Sequence, residues 1–135
     1  MKLSLVVPCY NEADSVHLFL DAVIGAFDGC GYDYEVIFVN DGSRDKTLFQ
    51  LKKIFAAQRC PVKVVSFSRN FGKESAIYAG MTQAVGEYVS LIDADLQQRP
   101  ELVRDMVAIL EEKPEYDVVA ADQDRRGEGK VQSVF

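Results

Sequence analysis

Apolar positions along the chain recur with two alternating periods. Leu3-Ser4-Leu5-Val6-Val7 is a short β-branched run closed by Pro8, and it predicts a strand. From about Glu12 to Phe27, the residues Val16, Leu20, Val23, Ile24 and Phe27 fall at helical spacing, and Gly29 and Gly31 stop the helix. Tyr34 to Val39 predicts a second strand, broken by Asn40-Asp41-Gly42, and Leu48, Leu51, Ile54 and Phe55 mark a second helix. Val62 to Phe67 reads as a third strand. A third helix is expected from about Phe71 to Val85, with the stripe Ala76, Ile77, Gly80, Met81, Ala84 and Val85. Tyr88 to Ile92 predicts a fourth strand, and Pro100 suits the first turn of a helix carrying Leu102, Val103, Met106, Ile109 and Leu110. Asp117 to Ala121 predicts a fifth short strand, and Val131 and Val134 read as the start of a further helix.

Strand and helix alternate through the whole chain, which predicts an α/β fold. A mainly parallel sheet with helices on both faces, joined by right-handed crossovers, gives a doubly wound, Rossmann-like layout. At 135 residues with 48% hydrophobic side chains, the chain can build one core, and no linker or repeat divides it. Its last residues, Lys130 to Phe135, run apolar without a cap or polar tail, so the expectation is a piece of a longer protein.

Charge narrows the function classes. Fifteen Lys and Arg against 21 Asp and Glu leave a net charge of −6, which argues against nonspecific nucleic-acid binding. The cluster Arg44, Lys46, Lys52, Lys53, Arg59 and Lys63 reads as a solvated helix face, with an anionic membrane surface as the lesser alternative. No apolar stretch approaches the roughly 20 residues of a membrane helix, and Met1-Lys2 leads straight into a strand-like run rather than a signal peptide. Cys9, Cys30 and Cys60 lack metal-ligand spacing and read as free thiols in a reducing compartment. A single histidine, His17, excludes a multi-histidine metal site. Neither Gly-x-Gly-x-x-Gly nor a P-loop follows the first strand, which argues against dinucleotide enzymes and P-loop NTPases.

In an open parallel sheet, ligands bind beyond the carboxyl ends of the strands. Tyr10, Asn11 and Glu12 follow the first strand, Asp41 and Gly42 the second, Asp93 and Asp95 the fourth, and Asp122 and Asp124 the fifth. Carboxylates gathered on one edge repel one another unless a cation neutralises them. Asp93-Ala94-Asp95 places two within reach of one Mg²⁺ or Mn²⁺ ion, Gln97 could add an amide oxygen, and such an ion also takes oxygens from a substrate phosphate. The plainer alternative is that these acids cap turns and helices.

Four stretches carry a resemblance. Val6-Val7-Pro8-Cys9-Tyr10-Asn11-Glu12, then Val39-Asn40-Asp41-Gly42-Ser43-Arg44-Asp45-Lys46-Thr47, then Asp93-Ala94-Asp95-Leu96-Gln97 resemble family 2 glycosyltransferases of the GT-A fold. Ser68-Arg69-Asn70-Phe71-Gly72-Lys73-Glu74 is similar to the polyprenyl-phosphate glycosyltransferases within that family, the group with dolichol-phosphate mannose synthase and the bactoprenol glucosyltransferases. The resemblance implies that Pro8, Tyr10, Asn11 and Glu12 line a nucleoside pocket and that Asp41 contacts base or ribose. It implies that Asp93, Asp95 and Gln97 hold Mg²⁺ or Mn²⁺ and, through it, a diphosphate. Lys73 joins the nucleotide-binding set, its alternative being a solvated lysine at a helix start. Arg125 and Arg126 fall where the family places arginines for an acceptor phosphate, and with Asp95 they form the expected catalytic set; their alternative is a solvated charge cluster. The departure from the family is Gln98-Arg99-Pro100, which puts the shape of the metal loop in question.

On this resemblance the chain is a single GT-A domain, with donor and metal residues within about 1–98 and the start of an acceptor region from 99 to 135. The implied activity is inverting transfer of a hexose from a UDP- or GDP-sugar to a polyprenyl phosphate at the cytoplasmic face of a membrane, reached through segments beyond residue 135. Transfer to a saccharide hydroxyl and a non-catalytic nucleotide-sugar-binding module are the competing readings. Nucleic acid is not among the expected partners, and self-association as a homo-oligomer stays open.

Overall fold

The structure, a computed structural model, describes residues 1–123 and 129–133. Its main element is a four-stranded sheet in the order β3-β2-β1-β4, built from β1 (Leu3–Cys9), β2 (Tyr34–Asn40), β3 (Val62–Ser66) and β4 (Tyr88–Leu91). Every pairing is parallel, with Leu3 opposite Tyr34 and Tyr88, and Val36 opposite Val62. The intervening helices are α1 (Val16–Phe27), α2 (Thr47–Ala57), α3 (Lys73–Gln83) and α4 (Pro100–Glu112).

Period-2 alternation on the central strands sorts the helices to two faces. Leu3, Leu5 and Val7 of β1 and Val36 and Phe38 of β2 pack with Phe19, Leu20 and Val23 of α1, Leu51 and Ile54 of α2, and Val103 and Val107 of α4. Val6, Ile37 and Val39 point the other way, onto Ala76 of α3. Gly80 lets α3 sit down on that face, because a Cβ there would lie 2.4 Å from Val6 Cγ1. Helices on both faces of a parallel sheet are therefore present as expected.

Boundaries differ where loops take over. β1 runs through Pro8 to Cys9. Ile92 N–H donates to the Val6 carbonyl and Asp41 N–H to the Cys9 carbonyl, so alternate residues of β1 bond to β4 and to β2. Pro8 falls on the β4 side, beyond the last pairing of Val6 with Leu91, where no ladder donor is needed. α1 starts at Val16 rather than near Glu12, because the Glu12 carbonyl instead accepts the Ser15 and Val16 N–H groups in a turn. α3 starts at Lys73, since Phe71 and Gly72 are drawn into a loop contact described below.

Two expectations at the end of the chain are corrected. The strand predicted at 117–121 is β5 (Val119–Gln123). It does not join the parallel sheet but pairs antiparallel with β6 (Gly129–Ser133), which replaces the helix expected around Val131. The few residues between them are too short for a parallel crossover, which takes a dozen or more, so only an antiparallel partner is within reach. Asp122 consequently lies inside β5, in register with Lys130, and does not contribute to the carboxyl edge of the main sheet.

Candidate active site

Because the four strands are parallel, Cys9, Asn40, Ser66 and Leu91 end on one edge, and the loops that follow them are laced together there. Asn11 N–H donates to Ser43 Oγ (2.9 Å), and Arg44 N–H donates back to Asn11 Oδ1 (2.9 Å). Glu12 N–H donates to Thr47 Oγ1 (2.9 Å), while Asp45 accepts from the N–H groups of Ala13 and Thr47. Asn40 accepts from Ser43 N–H and donates to Ser66 Oγ, joining the ends of β2 and β3. Much of the Asn-Asp-Gly-Ser-Arg-Asp-Lys-Thr run is thus loop carpentry, as short polar side chains after strands commonly are.

Asp41 is the most committed of these groups. It is buried, yet its Oδ1 accepts Phe71 N–H (2.8 Å), and its Oδ2 accepts Gly72 N–H (3.1 Å) and Asn70 Nδ2 (3.2 Å). A carboxylate offers about four acceptor positions, so one on Oδ1 is left for a ligand. Next to it, Gly42 has φ +64°, and a Cβ there would lie 2.1 Å from the Arg69 carbonyl carbon and 2.3 Å from Asn70 N. The loops after β2 and β3 meet backbone to backbone at this point, which requires glycine.

A cleft of about 230 Å³ opens on this edge, lined by Pro8, Cys9, Tyr10, Glu12, Asp41, Lys73, Asp93 and Asp95. Four loops contribute to it. The Glu12 Oε2 holds Ser15 Oγ (2.6 Å), and the Tyr10 ring is 41% exposed, open to stack on a planar group. Lys73 Nζ pairs with Asp93 Oδ1 at 2.9 Å. The loop after β4 is tightly wound. Leu96 adopts φ +67°, a left-handed conformation that costs a non-glycine residue of order 1 kcal/mol. Gln97 N–H donates to Asp95 Oδ1 (3.1 Å) and Asp93 N–H to Gln98 Oε1 (3.4 Å), which hold that turn. Gln98, the departure from the family pattern, therefore has a local role as an acceptor within the loop.

Of the residues expected from the sequence, Pro8, Tyr10, Glu12, Asp41, Lys73, Asp93 and Asp95 converge on the cleft. Asn11 and Gln97 are not among its lining. The side chain of Asn11 is turned to Arg44 N–H, and Gln97 is exposed beside the turn. Arg125 and Arg126, with Asp124, lie outside the described residues. Cys9 lines the cleft unforeseen. Burial pushes its thiol pKa far up, with Glu12 and Asp93 adding to the shift, so it is a neutral packing group rather than a nucleophile.

The donor set fits a hard divalent ion. Among the described residues no cluster of three or more His, Cys, Asp or Glu side chains converges on one metal position. Two carboxylates on one turn are what Mg²⁺ or Mn²⁺ uses when substrate phosphates and water complete its octahedron. Asp93 and Asp95 would hold it, each with oxygen not already taken by Lys73 or by Gln97 N–H.

Comparison with known proteins shows the family. The family model for glycosyl transferase family 2 matches residues 4–134. The chain is 44% identical over 133 residues to CsbB of Bacillus subtilis (strain 168), a protein named for a glycosyltransferase; the match covers 98% of this chain and 40% of that protein. It is 41% identical over 127 residues to the undecaprenyl-phosphate 4-deoxy-4-formamido-L-arabinose transferase of Edwardsiella ictaluri (strain 93-146), covering 92% of this chain and 38% of the relative. Among solved structures, the mannosyltransferase PcManGT from Pyrobaculum calidifontis, in complex with GDP-Man and Mn²⁺, superimposes with a TM-score of 0.67 at 27% identity, over 81% of this chain and 32% of that one. The chain thus spans about two fifths of the length of the curated relatives it matches. With the parallel sheet, the cleft at its carboxyl edge and a family match along nearly the whole sequence, this chain belongs to glycosyl transferase family 2 and has the GT-A fold.

Proposed function

We propose that the cleft binds a nucleoside diphosphate sugar, UDP- or GDP-linked, together with Mg²⁺ or Mn²⁺, and that the whole protein transfers the hexose with inversion to a polyprenyl phosphate. The observation that carries this reading is the meeting of Asp93, Asp95 and Lys73 with Tyr10 and Asp41 in one cleft beyond the parallel strands. Charged groups for a diphosphate lie beside a ring and a buried acceptor for a nucleoside. The relative named for transfer to undecaprenyl phosphate supports the acceptor, and the neighbour holding GDP-Man and Mn²⁺ supports the donor and the ion.

Within this reading the Tyr10 ring offers a stacking face to the base, and the open position on Asp41 Oδ1 accepts from base or ribose. Asp93 and Asp95 hold the ion, which when bound neutralises charge on the departing diphosphate. Lys73 contacts the same diphosphate. A phosphate acceptor is already anionic near neutral pH, so it needs positioning for in-line attack more than a general base. Arg125 and Arg126 would supply its cationic seat, in a region that starts near residue 99. No described helix is long and apolar enough to cross a membrane. We place the protein at the cytoplasmic membrane face through segments other than these.

Calorimetric titration with UDP, GDP, UDP-glucose and GDP-mannose, with and without Mn²⁺, tests the donor site. Binding of one nucleoside diphosphate that weakens at least tenfold in chelator is expected, and equal affinity with and without the ion would overturn the metal role. Turnover with polyprenyl phosphate, rather than with a saccharide hydroxyl, tests the acceptor in a longer form of the protein.

A further inference from the structure

Lys73 stands at the first turn of α3, and its position is set from outside the helix. Asp41 grips Phe71 N–H and Gly72 N–H immediately before it, so the lysine is delivered to the cleft by a loop that cannot swing freely. Its ammonium, on a largely exposed side chain, is directed across the cleft. It reaches the loop after β4 and pairs with Asp93 Oδ1 at 2.9 Å, with the two side chains 62% and 36% exposed. A carboxylate of the proposed ion site is therefore already matched by a cation of the chain itself.

From this pairing we infer that Lys73 is a stand-in for the metal, which keeps the ion site shut to a free divalent cation until a diphosphate draws the ammonium away. The inference rests on the donor site proposed above. An ammonium on Asp93 and a doubly charged ion on Asp93 and Asp95 repel each other at close range. A free ion entering the cleft must displace Lys73 or bind beside it, and both weaken binding. A diphosphate changes the balance, because its oxygens accept from Lys73 and coordinate the ion at the same time. The two cations then share an anion instead of competing for a carboxylate. Ion and diphosphate thus bind as a coupled pair, and Lys73 adds to the coupling beyond what shared ligation gives. The exposed ion pair is weak by itself, so it yields readily to the diphosphate, which is what a stand-in requires.

The test is a Mn²⁺ titration of the whole chain followed by electron paramagnetic resonance, on the wild type, Lys73→Met and Lys73→Arg, with Mn²⁺ alone and with UDP or GDP in excess. Removing one unit charge beside a divalent ion in a half-open site is expected to tighten Mn²⁺ binding without nucleotide by about tenfold. Lys73→Arg, which keeps the charge, is expected to stay within about twofold of wild type. The gain in Mn²⁺ affinity caused by the nucleotide should be smaller in Lys73→Met than in wild type. Unchanged or weaker binding of Mn²⁺ alone to Lys73→Met, where wild type binds Mn²⁺ with nucleotide, overturns the stand-in role and leaves the donor site intact. Absence of Mn²⁺ binding in all three proteins, with either nucleotide, overturns the donor site itself and this inference with it. Because Lys73 is exposed, the variants are expected to melt within a few degrees of wild type, and a thermal scan checks that they do.

Discussion

Gly42→Ala is the sharpest probe of how the cleft is built. Two costs follow from the geometry. A φ of +64° is left-handed, and an L-residue there costs about 1–2 kcal/mol. The added Cβ would also lie 2.1 Å from the Arg69 carbonyl carbon, 2.3 Å from Asn70 N and 2.6 Å from Arg69 Cα, where carbon contacts are comfortable at about 3.5–4.0 Å. All three are backbone atoms, so no rotamer relieves the clash and the two loops must part by more than 1 Å. Parting them pulls Asn70, Phe71 and Gly72 off Asp41, and hydrogen bonds to a charged group are worth about 1.5–3 kcal/mol each. Loss of one such bond brings the total to about 2.5–5 kcal/mol, a large share of the roughly 5–15 kcal/mol of a typical domain. Gly29→Ala is the control, since Gly29 has φ +70° with nothing within 4 Å of an added Cβ. It should lose only the conformational part. Urea unfolding followed by circular dichroism measures both, and Gly42→Ala should fall at least 2 kcal/mol below Gly29→Ala. Equal losses would refute the reasoning, because they would mean the loops after β2 and β3 do not touch in solution.

Asp41→Asn should cost about 2 kcal/mol in the same unfolding assay, because an amide nitrogen would face backbone donors, and it should lower nucleotide affinity whether or not Mn²⁺ is present. A wild-type urea midpoint would rule out the hydrogen bonds of Asp41 to Phe71 and Gly72 N–H. Asp95→Asn, at an exposed position, should leave stability within about 0.5 kcal/mol yet weaken UDP or GDP binding in Mn²⁺ at least tenfold, with the bare nucleoside unaffected by calorimetry. Burial raises the Cys9 thiol above its ordinary value of 9.0, and Tyr32 and Tyr34 are pushed up from 10.0 to about 12. Above pH 9 the unfolded chain releases protons that the folded chain keeps, so stability should fall progressively from pH 9 to 11. Cys9→Ala should flatten the first part of that fall, and a urea midpoint constant over the range would contradict the burial of these groups.

The alternation of apolar periods was enough to determine an α/β chain with a parallel sheet, because buried parallel strands and amphipathic crossover helices each leave their own spacing in the sequence. The family motifs likewise carried Asp93, Asp95, Tyr10, Glu12 and Lys73 to one edge, since parallel strands deliver whatever follows them to the same side. Partner choice was a different matter. That 119–123 pairs with 129–133 and leaves the main sheet follows from the shortness of the segment between them, a constraint that the apolar pattern of either strand does not express. That Asn11 and Asp45 serve the loops, and that Asp41 spends three of its acceptor positions on the turn before α3, depends on which loops come to lie side by side. An Asp after a strand looks the same in sequence whether it faces a ligand or a neighbouring N–H. Only tertiary packing decides which donor reaches it first.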